Sequence, residues 1–383
     1  MSRPDTVMGR RLAGRAVTLA AAMRDETQSD AAIDLVEPAD EQTPEHVGAA
    51  ARDALDRGET HYTAGSGIFE LRRVLAERST AEGFSATADA VVVTNGGSEA
   101  LYIALQSVLA EGDHLLVAGP VAPNIVQMTA FIGAIPVYIP VRAADRFVPS
   151  VDALTSLGPT PRAILLASPS PVTGVAISND VLLGLIAAAD ERGILVILDR
   201  SLAWCTFEST SEPFNNAALG ARVLTVGSFS TAFAMSGWRV GYLSAPEGFI
   251  GEMRELKTAM SICTSAVSQY AALAALTGSE DWLKDRRASF VARRDLALGL
   301  LNDTGMDAIV PDAWPSVLLD TRLMHPDDRQ AASMIARDTG VRVEPASRYG
   351  PSTAGYTRIS LAADEAVLRD GLQRIGAFHS TCG

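Results

Sequence analysis

Lysine is almost missing from this sequence: 383 residues contain two, Lys257 and Lys284. Cysteine is nearly as sparse, at Cys205, Cys263 and Cys382. Three scattered cysteines cannot form a disulfide framework or a cysteine-built metal site, so no metal is expected, and the low count fits a reducing cytoplasm. Positive charge is also short, because 45 acidic against 32 basic residues leave a formal charge of −13. With no basic surplus to displace counterions from a phosphate backbone, nucleic acid is not an expected partner. No apolar run approaches the roughly 20 residues of a membrane span, so no membrane is expected either. The apolar stretch Ala16 to Met23 follows Arg10, Arg11 and Arg15 and leads into charged residues without a small-residue cleavage site. It reads as an amphipathic surface helix rather than a signal peptide.

What is abundant is apolar side chain, at 48% of the residues, enough for one large core and a smaller second one. Short β-rich runs at 91–94, 114–118, 163–167, 194–199 and 223–227 alternate with Ala/Leu-rich stretches such as 99–110 and 179–192. Strand, helix, strand in this rhythm predicts an α/β fold whose mostly parallel sheet is covered by helices on both faces. Ligands to such sheets bind beyond the carboxyl ends of the strands. The last 90 or so residues differ, with a long helical segment over 281–301 and short strands around 316–320 and 357–361. The expected division is a large cofactor-binding domain over 51–285 and a smaller α+β domain made of 1–50 with 286–383.

Three segments carry chemistry. The longest is Ser228-Phe-Ser-Thr-Ala-Phe-Ala-Met-Ser-Gly-Trp-Arg-Val-Gly-Tyr242. A second, Thr94-Asn-Gly-Gly-Ser-Glu-Ala-Leu101, is a strand end followed by small residues that open a helix. Backbone N–H groups at such a start lack partners and point outward, so Gly97 and Ser98 suit a phosphate without any side-chain charge. The third is Thr357-Arg-Ile-Ser-Leu361, whose Arg358 offers a planar fork matched to a carboxylate.

Together these segments resemble the class I/II aminotransferases, fold-type-I enzymes that use pyridoxal phosphate (PLP), along nearly the whole chain. The resemblance implies that Ser228 and Arg239 hold the cofactor phosphate and that Arg358 clamps a substrate α-carboxylate. It also implies that Asp199, ending the apolar run 194–198, pairs with the pyridine nitrogen and keeps the ring an electron sink. Tyr62, in His61-Tyr-Thr-Ala-Gly-Ser-Gly67, matches a tyrosine that reaches the neighbouring subunit's phosphate across a homodimer interface. The other reading of Tyr62 is a core aromatic.

The departures from the family pattern concentrate at one end of the cofactor. Where the family has the lysine that bonds covalently to the cofactor aldehyde stands Thr231, which offers no amine. Neither Lys257 nor Lys284 is placed to substitute. The turn Pro169-Ser-Pro-Val-Thr-Gly174 puts Pro171 where the family has an asparagine for the ring hydroxyl, and Asp199-Arg-Ser-Leu202 puts Leu202 in place of a tyrosine with the same partner. The ring-stacking aromatic falls near Ala122, and the glycine that leaves room for the substrate carboxylate falls at Glu37. A carboxylate there opposes another carboxylate unless it turns away or has a different job.

Phosphate and ring-nitrogen partners are kept while the groups at the aldehyde end are lost. This predicts a repurposed site that binds PLP, pyridoxamine phosphate (PMP) or a pyridoxal adduct with an amino acid non-covalently. The expected substrate is amino-acid-like or carboxylate-bearing, and ordinary lysine-dependent transamination is not expected. Two other functions fit the same residues. One is a non-catalytic subunit that supports an active paralogue, as one subunit of serine palmitoyltransferase does. The other is an enzyme that no longer uses PLP, with Ser228, Ser230, Thr231 and Glu37 as its polar groups.

Overall fold

Side chains that alternate along the central strands of the main sheet fall into two separate cores, so the sheet is buried from both sides. Leu115 and Val117, Leu165, and Leu195 and Ile197 pack on one face. Leu116 and Ala118, Ile164 and Leu166, and Val196 and Leu198 pack on the other. Continuous Val/Ile/Leu runs are what a doubly covered parallel strand requires. The molecule is described from a computed structural model covering residues 32–36, 42–84, 86–155, 161–208 and 222–382. The expected helix over 16–23 and Glu37 lie outside the described residues.

In chain order, the described elements begin with β1 (Ile33–Asp34), α1 (Glu45–Asp56), α2 (Phe69–Ala81), β2 (Val91–Thr94), α3 (Gly97–Val108) and β3 (His114–Ala118). There follow α4 (Pro123–Ile132), β4 (Ile135–Ile139), α5 (Val151–Thr155), β5 (Ala163–Ala167), α6 (Asn179–Glu191), β6 (Leu195–Asp199), β7 (Val223–Ser228) and β8 (Gly241–Ser244). Next come α7 (Glu247–Ser261), α8 (Ala266–Thr277), α9 (Asp281–Asp303), β9 (Ala308–Ile309), β10 (Ser316–Asp320) and α10 (Asp328–Thr339). The last are β11 (Val341–Arg342), β12 (Glu344–Pro345), β13 (Tyr356–Ser360) and α11 (Glu365–His379).

The main sheet has the order β2-β8-β7-β6-β5-β3-β4 and is parallel apart from β8, which runs against both of its neighbours. All five strands expected from sequence are present. Two more escaped notice: β4, interrupted by Pro136, and β8 (Gly241-Tyr-Leu-Ser244), which begins inside the longest motif and opens on a glycine. Beyond α9 lies an antiparallel sheet of order β12-β13-β10-β9, and β1 pairs in parallel with β11. The N-terminal residues 33–34 therefore join chain from the C-terminal third, whereas α1 packs against α8. Among the described residues, no helix is long and apolar enough to cross a membrane.

Candidate functional site

The carboxyl end of β2 turns sharply into α3. Gly96 takes φ +84° there, a left-handed conformation that side chains rarely adopt. Its missing side chain also makes room, because a Cβ on Gly96 would lie 2.3 Å from Nη2 of Arg239. Arg239 is therefore laid against the start of α3. Its Nη1 donates to the Ser236 carbonyl at 3.0 Å, and its Nη2 reaches the Asn95 carbonyl at 3.5 Å. Arg239 itself sits at φ +54°, a left-handed turn conformation.

Strand β8 approaches the same helix start backbone against backbone. A Cβ on Gly241 would stand 2.5 Å from both the Gly96 carbonyl carbon and the Gly97 nitrogen. Next to it, the space beside Gly97 is bounded by the Ser228 side chain at 3.1 Å and the Ser201 hydroxyl at 3.4 Å. The Ser228 hydroxyl donates to Ser230 Oγ at 3.1 Å and accepts from the Ser230 N–H at 3.2 Å. Ser98, in the first turn of α3, is exposed. Helix start, two hydroxyls and a guanidinium thus converge on one small volume, an arrangement whose donors suit a phosphate.

Asp199 ends β6, buried at 7% exposure, and is tied to this cup through Ser201, whose N–H donates to its Oδ1 at 2.8 Å. Burial pushes the Asp199 carboxyl up from its ordinary value, and the Ser201 hydroxyl and N–H pull it partly back down. A buried carboxylate with so little compensation is suited to a cationic partner such as a protonated ring nitrogen.

Thr231 lies in the turn after β7, half-buried, with its carbonyl accepting from Arg286 Nη2 at 2.9 Å. Leu202 is buried in the apolar cluster with Phe229 and Tyr242. The two lysines lie in different surroundings. Lys257 is fully buried in α7, donating to Ser261 Oγ at 2.7 Å and lying 3.6 Å from Glu99. Burial lowers its pKa, opposed by Glu99. Lys284 is on the surface of α9, 3.9 Å from Glu280 and Asp281.

Tyr62 is 80% exposed, which rules out the core-aromatic reading. Its loop is braced by Gln269, which donates to Thr63 Oγ1 at 3.1 Å and accepts from the Ile68 N–H at 2.7 Å. The loop lies close to the carboxyl end of α7, where Met260 and Ile262 are also exposed.

Arg358 is not an open clamp. It pairs across the strands with Glu344, and its Nη1 lies 2.8 Å from the Glu344 carboxylate. Arg348 and the Tyr349 hydroxyl hold the same carboxylate. Burial, together with the Glu344 charge, pushes the Tyr349 phenol up, so it stays a neutral donor. The Tyr349 carbonyl in turn accepts from the Val121 N–H at 2.9 Å, joining this cluster to the loop that holds Ala122.

Sequence reasoning brought Gly97, Ser228, Arg239 and Asp199 together but missed Ser201, Gly241 and the whole of Glu344, Arg348 and Tyr349. Ser201 stood inside a quoted motif. Glu344 left no signal, since only strand register sets it opposite Arg358.

The aminotransferase class I and II family matches this chain over residues 36–375. An aspartate/prephenate aminotransferase of Thermus thermophilus is 33% identical over 341 residues, 88% of this chain and 87% of that protein. An aspartate aminotransferase of Rhizobium meliloti is 33% identical over 94% of this chain and 91% of its own length. Among solved structures, a double mutant of Thermus thermophilus aspartate aminotransferase superposes with a TM-score of 0.87 at 31% identity, covering 96% of this chain and 98% of that one. An aromatic aminotransferase from Pyrococcus horikoshii superposes with a TM-score of 0.86 at 28% identity, covering 94% of this chain and 98% of its own.

Proposed function

The chain belongs to the class I and II aminotransferases, and from that premise we propose that it binds PLP, PMP or a pyridoxal adduct non-covalently and does not carry out ordinary lysine-dependent transamination. One observation carries this reading. The cup at Gly96, Gly97, Ser228 and Arg239 and the buried carboxylate of Asp199 are built and joined through Ser201, while residue 231 supplies no amine. The residues present fit the phosphate and ring nitrogen of a pyridoxal species: the bare Gly96 and Gly241 let the Arg239 guanidinium and β8 close onto the start of α3, and Asp199 keeps a buried charge that a pyridinium would balance.

When bound, the cofactor supplies an electron-withdrawing ring that can draw charge from a bond next to an amine. The residues of this chain do the holding. Arg239 and the N–H groups opening α3 take the phosphate, with Ser98 and Ser228 beside them. Asp199 keeps the ring nitrogen protonated and sets the orientation of the ring. At the other end, Thr231, Pro171 and Leu202 offer neither an amine nor a ring-hydroxyl partner, so the substrate amine does not compete with a lysine. Glu37 is a proposed further polar group at the substrate end.

Tyr62, exposed on a loop that lies close to the end of α7, supports a homodimer in which each tyrosine completes its neighbour's phosphate cup. Residues 51–285 are proposed as the cofactor-binding domain and 1–50 with 286–383 as the smaller one. The antiparallel sheet beyond α9 supports that division.

The test is an absorbance titration of purified protein with PLP, followed by borohydride and dialysis. A saturable spectral change that dialysis removes, with no cofactor fixed to protein by borohydride, is the expected result. Cofactor fixed to Lys257 or Lys284 overturns the non-covalent reading, and no binding at millimolar PLP overturns the cofactor assignment.

A further inference from the structure

The fork that would receive a substrate carboxylate is already spent on a residue of the same chain. Arg358 Nη1 donates to Glu344 at 2.8 Å and approaches the Tyr349 hydroxyl at 3.4 Å, which engages both of its hydrogens. Its Nε is buried and has no hydrogen-bond partner among the described residues, so the side edge of the guanidinium is closed to an incoming molecule. That leaves Nη2, and a single nitrogen gives one contact where an open fork gives two parallel ones. The Glu344 side chain is itself only 6% exposed and is held from its other side by Arg348, so it does not swing out at small cost. Val121, whose N–H donates to the Tyr349 carbonyl, ties this arrangement to the loop carrying Ala122.

We propose that Glu344 is a specificity-determining residue: it occupies the carboxylate position at Arg358 and directs the site toward amino compounds whose carboxyl group is absent, amidated or esterified. The inference rests on the cofactor reading above and narrows it. Two arginines around one carboxylate keep a formal surplus of one positive charge, so anions are still drawn toward the cluster. What Glu344 removes is the directed pair of donors that distinguishes a carboxylate from other polar groups.

Two stable secondary amines decide the matter, phosphopyridoxyl-L-alanine and phosphopyridoxyl-ethylamine, which differ by the carboxylate alone. Calorimetric titration of wild type is expected to give dissociation constants within about threefold of each other. Glu344→Gln is expected to tighten the alanine adduct by about tenfold or more, the worth of one charge-assisted hydrogen bond, and to leave the ethylamine adduct unchanged. Should the single variant not fold, Glu344→Gln with Arg348→Gln keeps the cluster's net charge and serves in its place. A wild type that prefers the alanine adduct tenfold or more, or a variant with an unaltered ratio, overturns the proposal. If neither adduct binds wild type, the cofactor reading fails, and Glu344 is judged by thermal shift with maleate. Stabilisation of the variant at concentrations that leave wild type unmoved supports its role, and an equal response in both proteins overturns it.

Discussion

Replacing Gly241 by alanine is expected to damage the phosphate cup from a position that touches no ligand. The added Cβ would stand 2.5 Å from the Gly96 carbonyl carbon and the Gly97 nitrogen, and 2.8 Å from the Gly227 carbonyl oxygen. All three are backbone atoms, so no side chain can swing aside. Restoring ordinary contact, near 3.4 Å, requires β8 and the start of α3 to separate by roughly 0.9 Å. Overpacking of this kind costs about 1–3 kcal/mol, and the same shift draws Arg239, two residues earlier on the chain, away from the N–H groups of α3. Losing one well-aimed hydrogen bond to a phosphate costs about 1.5–3 kcal/mol, which weakens PLP binding by roughly 10- to 100-fold. Equilibrium dialysis with PLP and calorimetric melting measure the two effects. Gly248→Ala is the control, because a Cβ there, in the first turn of α7, meets open space. It should leave binding intact and should not lower stability. A Gly241→Ala protein with wild-type affinity and melting temperature would refute the claim that this close approach shapes the cup.

Asp199→Asn should weaken PLP binding by about tenfold or more while stabilising the cofactor-free protein at neutral pH. The sign follows from the raised carboxyl pKa: the folded state holds its proton more tightly than the unfolded chain does, so ionisation penalises folding. The stability gap between the two proteins is therefore absent in acid and opens as pH climbs above the ordinary carboxyl value of 3.8; a gap that closed with rising pH would contradict the assignment. Thr231→Lys should let borohydride fix PLP to residue 231, readable by peptide mass, yet leave transamination very weak because Pro171 and Leu202 remain. Turnover of common amino acids at ordinary aminotransferase rates would defeat that expectation. Tyr62→Ala, at an exposed position, should barely change melting but should weaken PLP binding about tenfold in a dimer. A monomer in sedimentation at micromolar concentration would remove the role given to Tyr62.

The five central strands and the helices between them were legible because each is a local pattern, an apolar run or a helical period bounded by turn residues. β8 was not, because four residues beginning with Gly241 carry no periodicity, and its direction depends on pairing with β2 and β7. The amino-acid sequence by itself determined the α/β class and the absence of an amine at residue 231, since these follow from which side chains exist and in what order, and its motifs supplied the phosphate and ring-nitrogen partners proposed above. Only the tertiary structure decided that Ser201 joins Asp199 to the cup, that Gly241 lies against the start of α3 and that Glu344 lies against Arg358. Glu344 and Arg358 are 14 residues apart in the chain and meet because the antiparallel pairing of β12 with β13 puts them at one register position. Register follows from which faces a whole sheet can bury, a property that no single segment of sequence contains.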